Sequence, residues 1–378
     1  MCKLKSAIIL KDKIFMPDYD SHSKMLEELG ITDDYINASK VFVRAELSPE
    51  NEDIFSDIDG WKFCVDQDIT PEWFDEKDCT ERMRNTVKEW AKTHIFIGQN
   101  GLAISHGENI FIKDCKNVDI YGKAMVKYIC GNTTVKNIYD SATVEYIYGK
   151  ATVEYICGKA TVEYICGSTT VENIYGNATV ERICDNATVE SIYGNATVKS
   201  ICGNATVDSI CGNATVKYIY DNATVENICG NATVKYIYDN ATVENIYDNA
   251  TVEYIYGNAT VKNIYGNATV ENICGKATVK SIYDNATVNN ICDKATVKYI
   301  CDNATVESIY GNATVERICN NAKVERICGN ATVISSQYTK WNNSTSMVID
   351  DNATFKDCYS RTIYQAGGWE FVKVKRGK

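Results

Sequence analysis

Gly212-Asn-Ala-Thr-Val-Lys-Tyr-Ile-Tyr220 is followed at once by Asp221-Asn-Ala-Thr-Val-Glu-Asn-Ile-Cys229, and then by Gly230-Asn-Ala-Thr-Val-Lys-Tyr-Ile-Tyr238. This nine-residue phrase runs 24 times from Gly122 to Gln337 without insertion or deletion. Such a period is too short for a helical hairpin with its turns, whereas Thr-Val and Ile separated by Gly, Asp and Asn are strand and turn residues. The phrase is therefore a strand and a turn of a β-solenoid. Ala and Val stand two apart and share one face of a pleated strand, with Thr on the other. Ile lies three residues beyond Val, an odd step, so a kink or bulge has to bring it back to the same interior. The corner falls at Gly or Asp followed by Asn, which tolerate a left-handed backbone. The core of each unit is then Ala, Val and Ile, as in Ala151, Val153 and Ile156, or Ala232, Val234 and Ile237.

One such unit cannot enclose an interior, so two face each other across a thin core and make a coil of about 18 residues. Twelve coils stacked at roughly 4.8 Å give a rod of about 55 to 60 Å. Its stability comes from contacts between neighbouring coils, and its two ends need caps.

With that coil size, residues 18 apart lie above one another and the variable positions become columns. Glu154, Glu172, Glu190, Asp208, Glu226 and Glu244 form an unbroken acidic stripe. On the opposite face Lys199, Lys217 and Lys235 stack in a run, with Tyr218, Tyr236 and Tyr254 beside them. Tyr128, Tyr146 and Tyr164 make another aromatic column, and Tyr220, Tyr238 and Tyr256 a further one. Like charges side by side are unfavourable, so the stripe costs stability unless it is screened or used. The acidic stripe and the Tyr/Lys ladder are thus the candidate binding surfaces, with a plain solvated face as the competing reading. The exchanges Asp for Gly, Tyr for Cys, Asn for Ser and Glu for Lys are all open to single-base changes. Tandem duplication followed by point drift accounts for them, and shared ancestry for part of the uniformity.

The whole chain has 378 residues and a net charge of −11. Residues 1–110 lack the repeat, hold most of the tryptophans and carry a net charge of −9. Lys5 to Leu10 and Lys13 to Met16 read as strands, Ser21 to Leu29 as a helix stopped by Gly30, and Val41 to Leu47 and Trp61 to Val65 as strands. Pro71 to His94 reads as a long helix with Thr70 as N-cap and Trp73, Val87 and Trp90 on its apolar side. The order ββαββα makes this a small α+β domain. Ile110-Phe-Ile112 and Val118-Asp-Ile120 read as irregular first rungs. At the far end the phrase fades at Ile334-Ser-Ser-Gln337 and returns once at Asp351 after an insertion bearing Trp341. Residues 360–378, with Trp369, Phe371 and the basic tail Lys373, Lys375, Arg376 and Lys378, are expected to fold over the last coil and block its edge. The expected fold is mainly β: an α+β domain over 1–110, a solenoid over 111–337, and a C-terminal cap with a basic tail over 338–378.

Twelve of the 17 cysteines occupy the repeat position where Tyr is the alternative. Tyr cannot replace half a disulfide, so these cysteines are expected to behave as small apolar residues in a reducing compartment. The coil size nevertheless stacks Cys166 with Cys184 and Cys202, Cys211 with Cys229, Cys274 with Cys292 and Cys301 with Cys319, pairs placed to oxidise in vitro. The many Asn-Ala-Thr sequons also speak against a secretory route. The N-terminal apolar run is too short for a signal peptide or a membrane span, so the reading is a soluble cytoplasmic protein.

Chemistry is scarce. His22, His94 and His106 read as surface or capping residues, and Ser105-His106 is an adjacent pair without a nucleophile elbow. Asp66-Gln-Asp68 reads as a helix cap ahead of a cation site. The cysteines lack zinc spacing, the repeat lacks a calcium phrase, and no phosphate loop or dinucleotide fingerprint is present. No catalytic residue, metal or cofactor is assigned. The rod holds 22 acidic and 17 basic residues and no basic run, which disfavours nucleic acid as a partner.

The repeat resembles the wider class of short-repeat β-solenoids, which includes hexapeptide- and pentapeptide-repeat proteins. The N-terminal text Lys5-Ser-Ala-Ile-Ile-Leu10, Phe42-Val-Arg-Ala-Glu46, Trp61-Lys-Phe-Cys-Val-Asp-Gln-Asp68 and Pro71-Glu-Trp-Phe74 resembles an uncharacterised group of phage and prophage proteins of gut bacteria. That resemblance implies a mobile-element setting, in which small non-enzymatic proteins bind and inhibit host factors. The leading expectation is an interaction protein that engages a host defence or DNA-processing protein. The alternatives are a structural rod that serves as spacer or self-assembling element, and ice or ligand binding through the outward column Thr152, Thr170 and Thr188.

Overall fold

The structure is a computed structural model and describes residues 5–335, 348–358, 362–367 and 370–375. Through the regular part of the array each phrase forms a strand from its Thr to its Ile and pairs in parallel with the phrase 18 residues on. Thr215–Ile219 pairs with Thr233–Ile237 in the register Thr215↔Thr233, Val216↔Val234, Tyr218↔Tyr236 and Ile219↔Ile237. The intervening strand Thr224–Ile228 pairs with Thr242–Ile246 on the other side of the rod. Two phrases therefore close one coil, and the chain is a β-solenoid. One parallel sheet carries the Glu154 column and includes the strands from Thr134–Ile138 to Thr332–Ser335. The other carries the Lys217 column and has 15 strands, from Ile95–Ile97 to Val348–Ile349.

Between the sheets, Ala, Val and Ile of successive phrases form a single continuous core, with Ala232, Val234 and Ile237 all 0% exposed. Burying one Val or Ile in this way is worth about 1.5 to 3 kcal/mol before entropy is counted. The odd step from Val to Ile is met inside the strand, where the register passes over the third residue and two consecutive side chains face outward. Thr133 and Thr169 take the Ala position and remain buried because their hydroxyls donate to the carbonyls of Cys130 at 2.6 Å and Cys166 at 2.7 Å.

The corners explain the Gly/Asp exchange more fully than drift does. Gly230 has φ +63°, and a Cβ there would stand 2.8 Å from the backbone nitrogen of Gly212 in the coil before. Asp248, at φ 58°, stands directly after Gly230 in the stack, and its carboxylate accepts the Gly230 N–H at 3.2 Å. Asp221 does the same for Gly203 at 3.1 Å. Glycine relieves the contact, whereas aspartate turns it into a hydrogen bond. The next residue builds a second ladder. Asn249 donates to Asn231 and Asn231 to Asn213, each at 3.3 Å, within an unbroken amide column from Asn177 to Asn321. A shorter column runs from Asn186 to Asn258 at the opposite corner.

The N-terminal unit is a four-stranded antiparallel sheet in the order Ile14–Phe15, Lys5–Leu10, Phe42–Ser48, Lys62–Val65. Its two faces bury different helices. Ala7, Ile9, Val43 and Leu47 pack on the long helix through Met83, Val87 and Trp90, while Ile8 and Phe42 pack on the helix His22–Glu28 through Met25 and Leu26. A four-residue helix at Tyr35–Ala38, capped by Asp34, was not expected. The long helix spans Glu76–His94 rather than starting at Pro71. Its cap is Asp75, whose carboxylate accepts from the Asp78 N–H at 2.8 Å, and Glu76 and Asp78 suit the positive end of the helix dipole. Pro71 to Phe74 instead close a turn, and Trp73 leaves the helix face to donate to the Lys40 carbonyl at 2.9 Å.

The long helix runs directly into the first rung, because Ile95–Ile97 pairs with Ile110–Lys113. An aromatic seam joins the two parts, with ring centroids 6.3 Å apart for Trp90 and Phe111 and 5.4 Å for Phe111 and Tyr128. At the other end Thr354–Asp357 continues the Glu154 sheet, and Thr362–Gly367 and Glu370–Lys375 then pair antiparallel to it. These strands extend the Glu154 sheet, and Tyr364 packs against Phe355 and the core. Trp341, Trp369, Arg376 and Lys378 lie outside the described residues.

Candidate interaction surface

The in-register stacking places every residue of the two candidate ladders. Glu154, Glu172, Glu190, Asp208, Glu226 and Glu244 occupy the same position of six successive strands in one sheet. Glu190, Asp208 and Glu226 are exposed and the other three are half-buried. The column is bounded in sequence by Lys136 on one side and Lys262 on the other. Ion pairs form at four of the changes of sign along the columns: Glu244 with Lys262 at 3.3 Å, Glu181 with Lys199 at 2.7 Å, Lys235 with Glu253 at 3.6 Å, and Lys127 with Glu145, whereas Lys136 does not pair with Glu154. The five carboxylates from Glu154 to Glu226 have no cationic partner among the described residues. Each neighbouring pair at strand spacing repels by roughly 1 kcal/mol in water, less in salt.

On the opposite sheet Lys199, Lys217 and Lys235 form the central basic run, and its two outer members are tied to Glu181 and Glu253. Lys217 lies instead over the Tyr218 ring at 5.0 Å from the centroid, and Lys235 over Tyr236 at 5.5 Å. Tyr218, Tyr236 and Tyr254 stack at 5.5 and 5.3 Å, and the column Tyr220, Tyr238 and Tyr256 stacks at 5.2 and 5.0 Å. The two columns interlock edge to face, Tyr218 with Tyr238 and Tyr236 with Tyr256, both at 6.3 Å. The result is one panel of six phenol rings bordered by lysines. A hydrogen bond with the Cys202 thiol and burial push the Tyr220 phenol up to about 12, and burial beside Tyr256 does the same to Tyr238. The sequence had placed both columns, but not their interlocking, which depends on side-chain rotamers at residues two apart.

Thr152, Thr170 and Thr188 are half-buried and in register on the Glu154 sheet, with Glu154, Glu172 and Glu190 two residues further on the same exterior. The cysteines stack in the pairs that the coil size dictates, and two of those pairs are oxidised. Cys274 with Cys292 and Cys301 with Cys319 are disulfide-bonded, each pair with Cα atoms 4.7 Å apart. Identical positions in adjacent coils come within disulfide range by geometry alone. Cys166, Cys184 and Cys202 remain free, and hydrogen bonding along this thiol stack lowers Cys166 and raises Cys184 to about 11.

In the N-terminal unit, His22 is buried at 5% exposure rather than at the surface. His94 stacks on Trp90 at 4.4 Å and faces Asp18 at 3.2 Å. Asp66-Gln-Asp68 caps no helix. Asp66 faces His22, while Gln67 accepts from the Arg44 N–H at 2.8 Å and donates to the Ile69 and Phe42 carbonyls at 2.6 and 3.1 Å. Among the described residues no helix is long and apolar enough to cross a membrane. Comparison with family models, with curated proteins and with solved structures finds no match for this chain.

Proposed function

We propose that the chain is a non-enzymatic interaction protein, encoded by a phage or prophage and acting in the bacterial cytoplasm. In this reading it binds and inhibits a host defence or DNA-processing protein through the solenoid and the N-terminal unit. The observation that carries the reading is the run of five carboxylates from Glu154 to Glu226 without a cationic partner, on a rod where four other changes of sign along a column form ion pairs. A basic surface laid along the stripe would relieve the repulsion, and the rigid stacking holds the carboxylates at fixed spacing so that little ordering entropy is lost on binding. The test is capture of host protein by the full chain and by the triple variant Glu190→Lys, Asp208→Lys, Glu226→Lys. The reading expects salt-sensitive capture that the variant loses; unchanged capture by the variant removes the acidic stripe from the account.

A second reading, a structural rod, is favoured by the Asn ladders and ring stacks, which repeat without marking any one coil. Removing the two phrases Gly194 to Cys211 separates the two readings. A spacer keeps its activity in proportion to length, whereas a recognition surface that includes Lys199 and Asp208 loses it abruptly.

A further inference from the structure

The N-terminal unit holds a polar cluster that the proposed function does not use. Ser6 pairs with Glu46 and Glu46 with Cys64 across three adjacent strands, so these side chains project from the same sheet face. The helix His22–Glu28 covers that face and begins with His22 over the row. His22 Nε2 lies 3.2 Å from the Ala45 carbonyl, and Nδ1 lies 3.2 Å from Asp66 Oδ2. A carbonyl only accepts, so Nε2 carries the hydrogen and donates. In the neutral ring Nδ1 then presents a lone pair to a carboxylate, acceptor against acceptor. An imidazole with one nitrogen held by its N–H on a backbone carbonyl, and the lone pair of the other nitrogen aimed at carboxylates, is the arrangement that metal-ligating histidines adopt.

Two further facts point the same way. Ligand atoms of His22, Glu46 and Asp66 all lie within 4.8 Å of one another. Ser6, 0% exposed, has a buried hydroxyl without a hydrogen-bond partner, in the row next to Glu46, while its N–H donates to Asp20 Oδ1 at 3.2 Å.

We propose that His22, Glu46 and Asp66 bind one divalent transition-metal cation, with the Ser6 hydroxyl beside it as a further oxygen donor. One imidazole and two carboxylates neutralise a 2+ charge, and this nitrogen and oxygen set suits Mn2+ or Zn2+ rather than a thiolate-seeking metal. The side chain of Asp66 is 61% exposed and lines an open polar cleft of about 590 Å³ with Arg44, Gln67 and Asp68, which gives the ion a way in. Bound metal would tie the segment after the fourth strand of the N-terminal sheet to the start of the first helix.

The experiment is titration of the full chain with Mn2+, read by the loss of the free-ion paramagnetic resonance signal. Mn2+ serves as the probe because the many cysteines compete poorly for it. The expected result is one Mn2+ per chain, with affinity lowered at least about 10-fold by Asp66→Asn, the loss that even an outer partner of a metal site produces. Asp66→Asn is the decisive variant because its side chain is largely exposed and the change is isosteric; His22→Gln is to be read together with the far-UV spectrum of the helices. Glu154→Gln, on the rod, is expected to leave binding unchanged. Absence of stoichiometric binding, or equal binding by Asp66→Asn, overturns the proposal and leaves His22 and Asp66 as the ion pair of a protonated imidazole.

Discussion

In the rod the neighbour of a side chain is most often its counterpart from the next coil, whereas in the N-terminal unit the polar side chains that pair do so with unlike groups. Self-stacking suits some groups and not others. An amide holds both donor and acceptor, so Asn249 can satisfy Asn231 and Asn231 can satisfy Asn213. A phenol ring stacks on its copy, as Tyr247, Tyr265 and Tyr283 do at 5.0 Å. A carboxylate has nothing to offer another carboxylate, and ion pairs therefore wait for a change of sign. The N-terminal unit has the opposite economy, in which Gln67 alone joins Arg44, Phe42 and Ile69, and Trp90 donates to Asp18 at 2.9 Å. The rod spreads its stability over many equal contacts; the N-terminal unit concentrates it in a few that have no substitute.

That contrast can be broken at several points. Ile219→Ala, in the middle of the rod, is expected to cost about 2 to 5 kcal/mol, the range for truncating a fully buried Ile. Chemical denaturation with hydrogen exchange should place the loss in the coils adjoining residue 219, since only neighbouring coils share the cavity. Gln67→Ala is expected to cost about 1 to 3 kcal/mol, because it strands several backbone groups at once. Asn231→Ala breaks two ladder bonds at an exposed corner and should cost no more than about 1 kcal/mol. Equal effects of these two substitutions on the denaturation midpoint would contradict the distinction between the two regions.

At the corners, Gly212→Ala should cost roughly 1 kcal/mol, since a Cβ at φ +65° meets the Gly194 nitrogen at 3.0 Å. Gly212→Asp should be milder, because the carboxylate can accept that N–H as Asp221 does for Gly203. The ranking is read from paired melting curves. The smallest effect is in pH. The phenols of Tyr220 and Tyr238 stand at about 12 in the fold against an ordinary 10.0, so above pH 10 the unfolded chain loses these protons first. Their contribution to stability is intact below pH 10 and is lost as pH rises towards 12, which tyrosinate absorbance and circular dichroism followed together would show.

The rod was legible because its period and the alternation of a strand leave only one interior. Ala, Val and Ile had to point inward, and two facing units set the coil, so the columns of Glu154 and Lys217 follow by counting. The sign boundary at Glu244 and Lys262 was equally open to reading. What sequence could not show lies where a residue's role is set by something distant along the chain. Asp66 has the look of a cap because a helix follows it, yet it faces His22, 44 residues earlier. Pro71 has the look of a first helical residue, but the carboxylate of Asp75 offers the helix a start with acidic residues in its first turn. The corner aspartates passed for drift because their partner, a glycine N–H one coil away, appears only when the coils are stacked.

The coil of two phrases is the claim on which every column depends, and a deletion series measured by small-angle X-ray scattering tests it most directly. Chains lacking Gly194 to Cys211, and then further pairs of phrases, should each stay folded and shorten by roughly 4.8 Å per pair removed. Shortening by roughly twice that amount, or loss of the folded rod on removing a pair, would contradict the two-phrase coil and dissolve the columns with it.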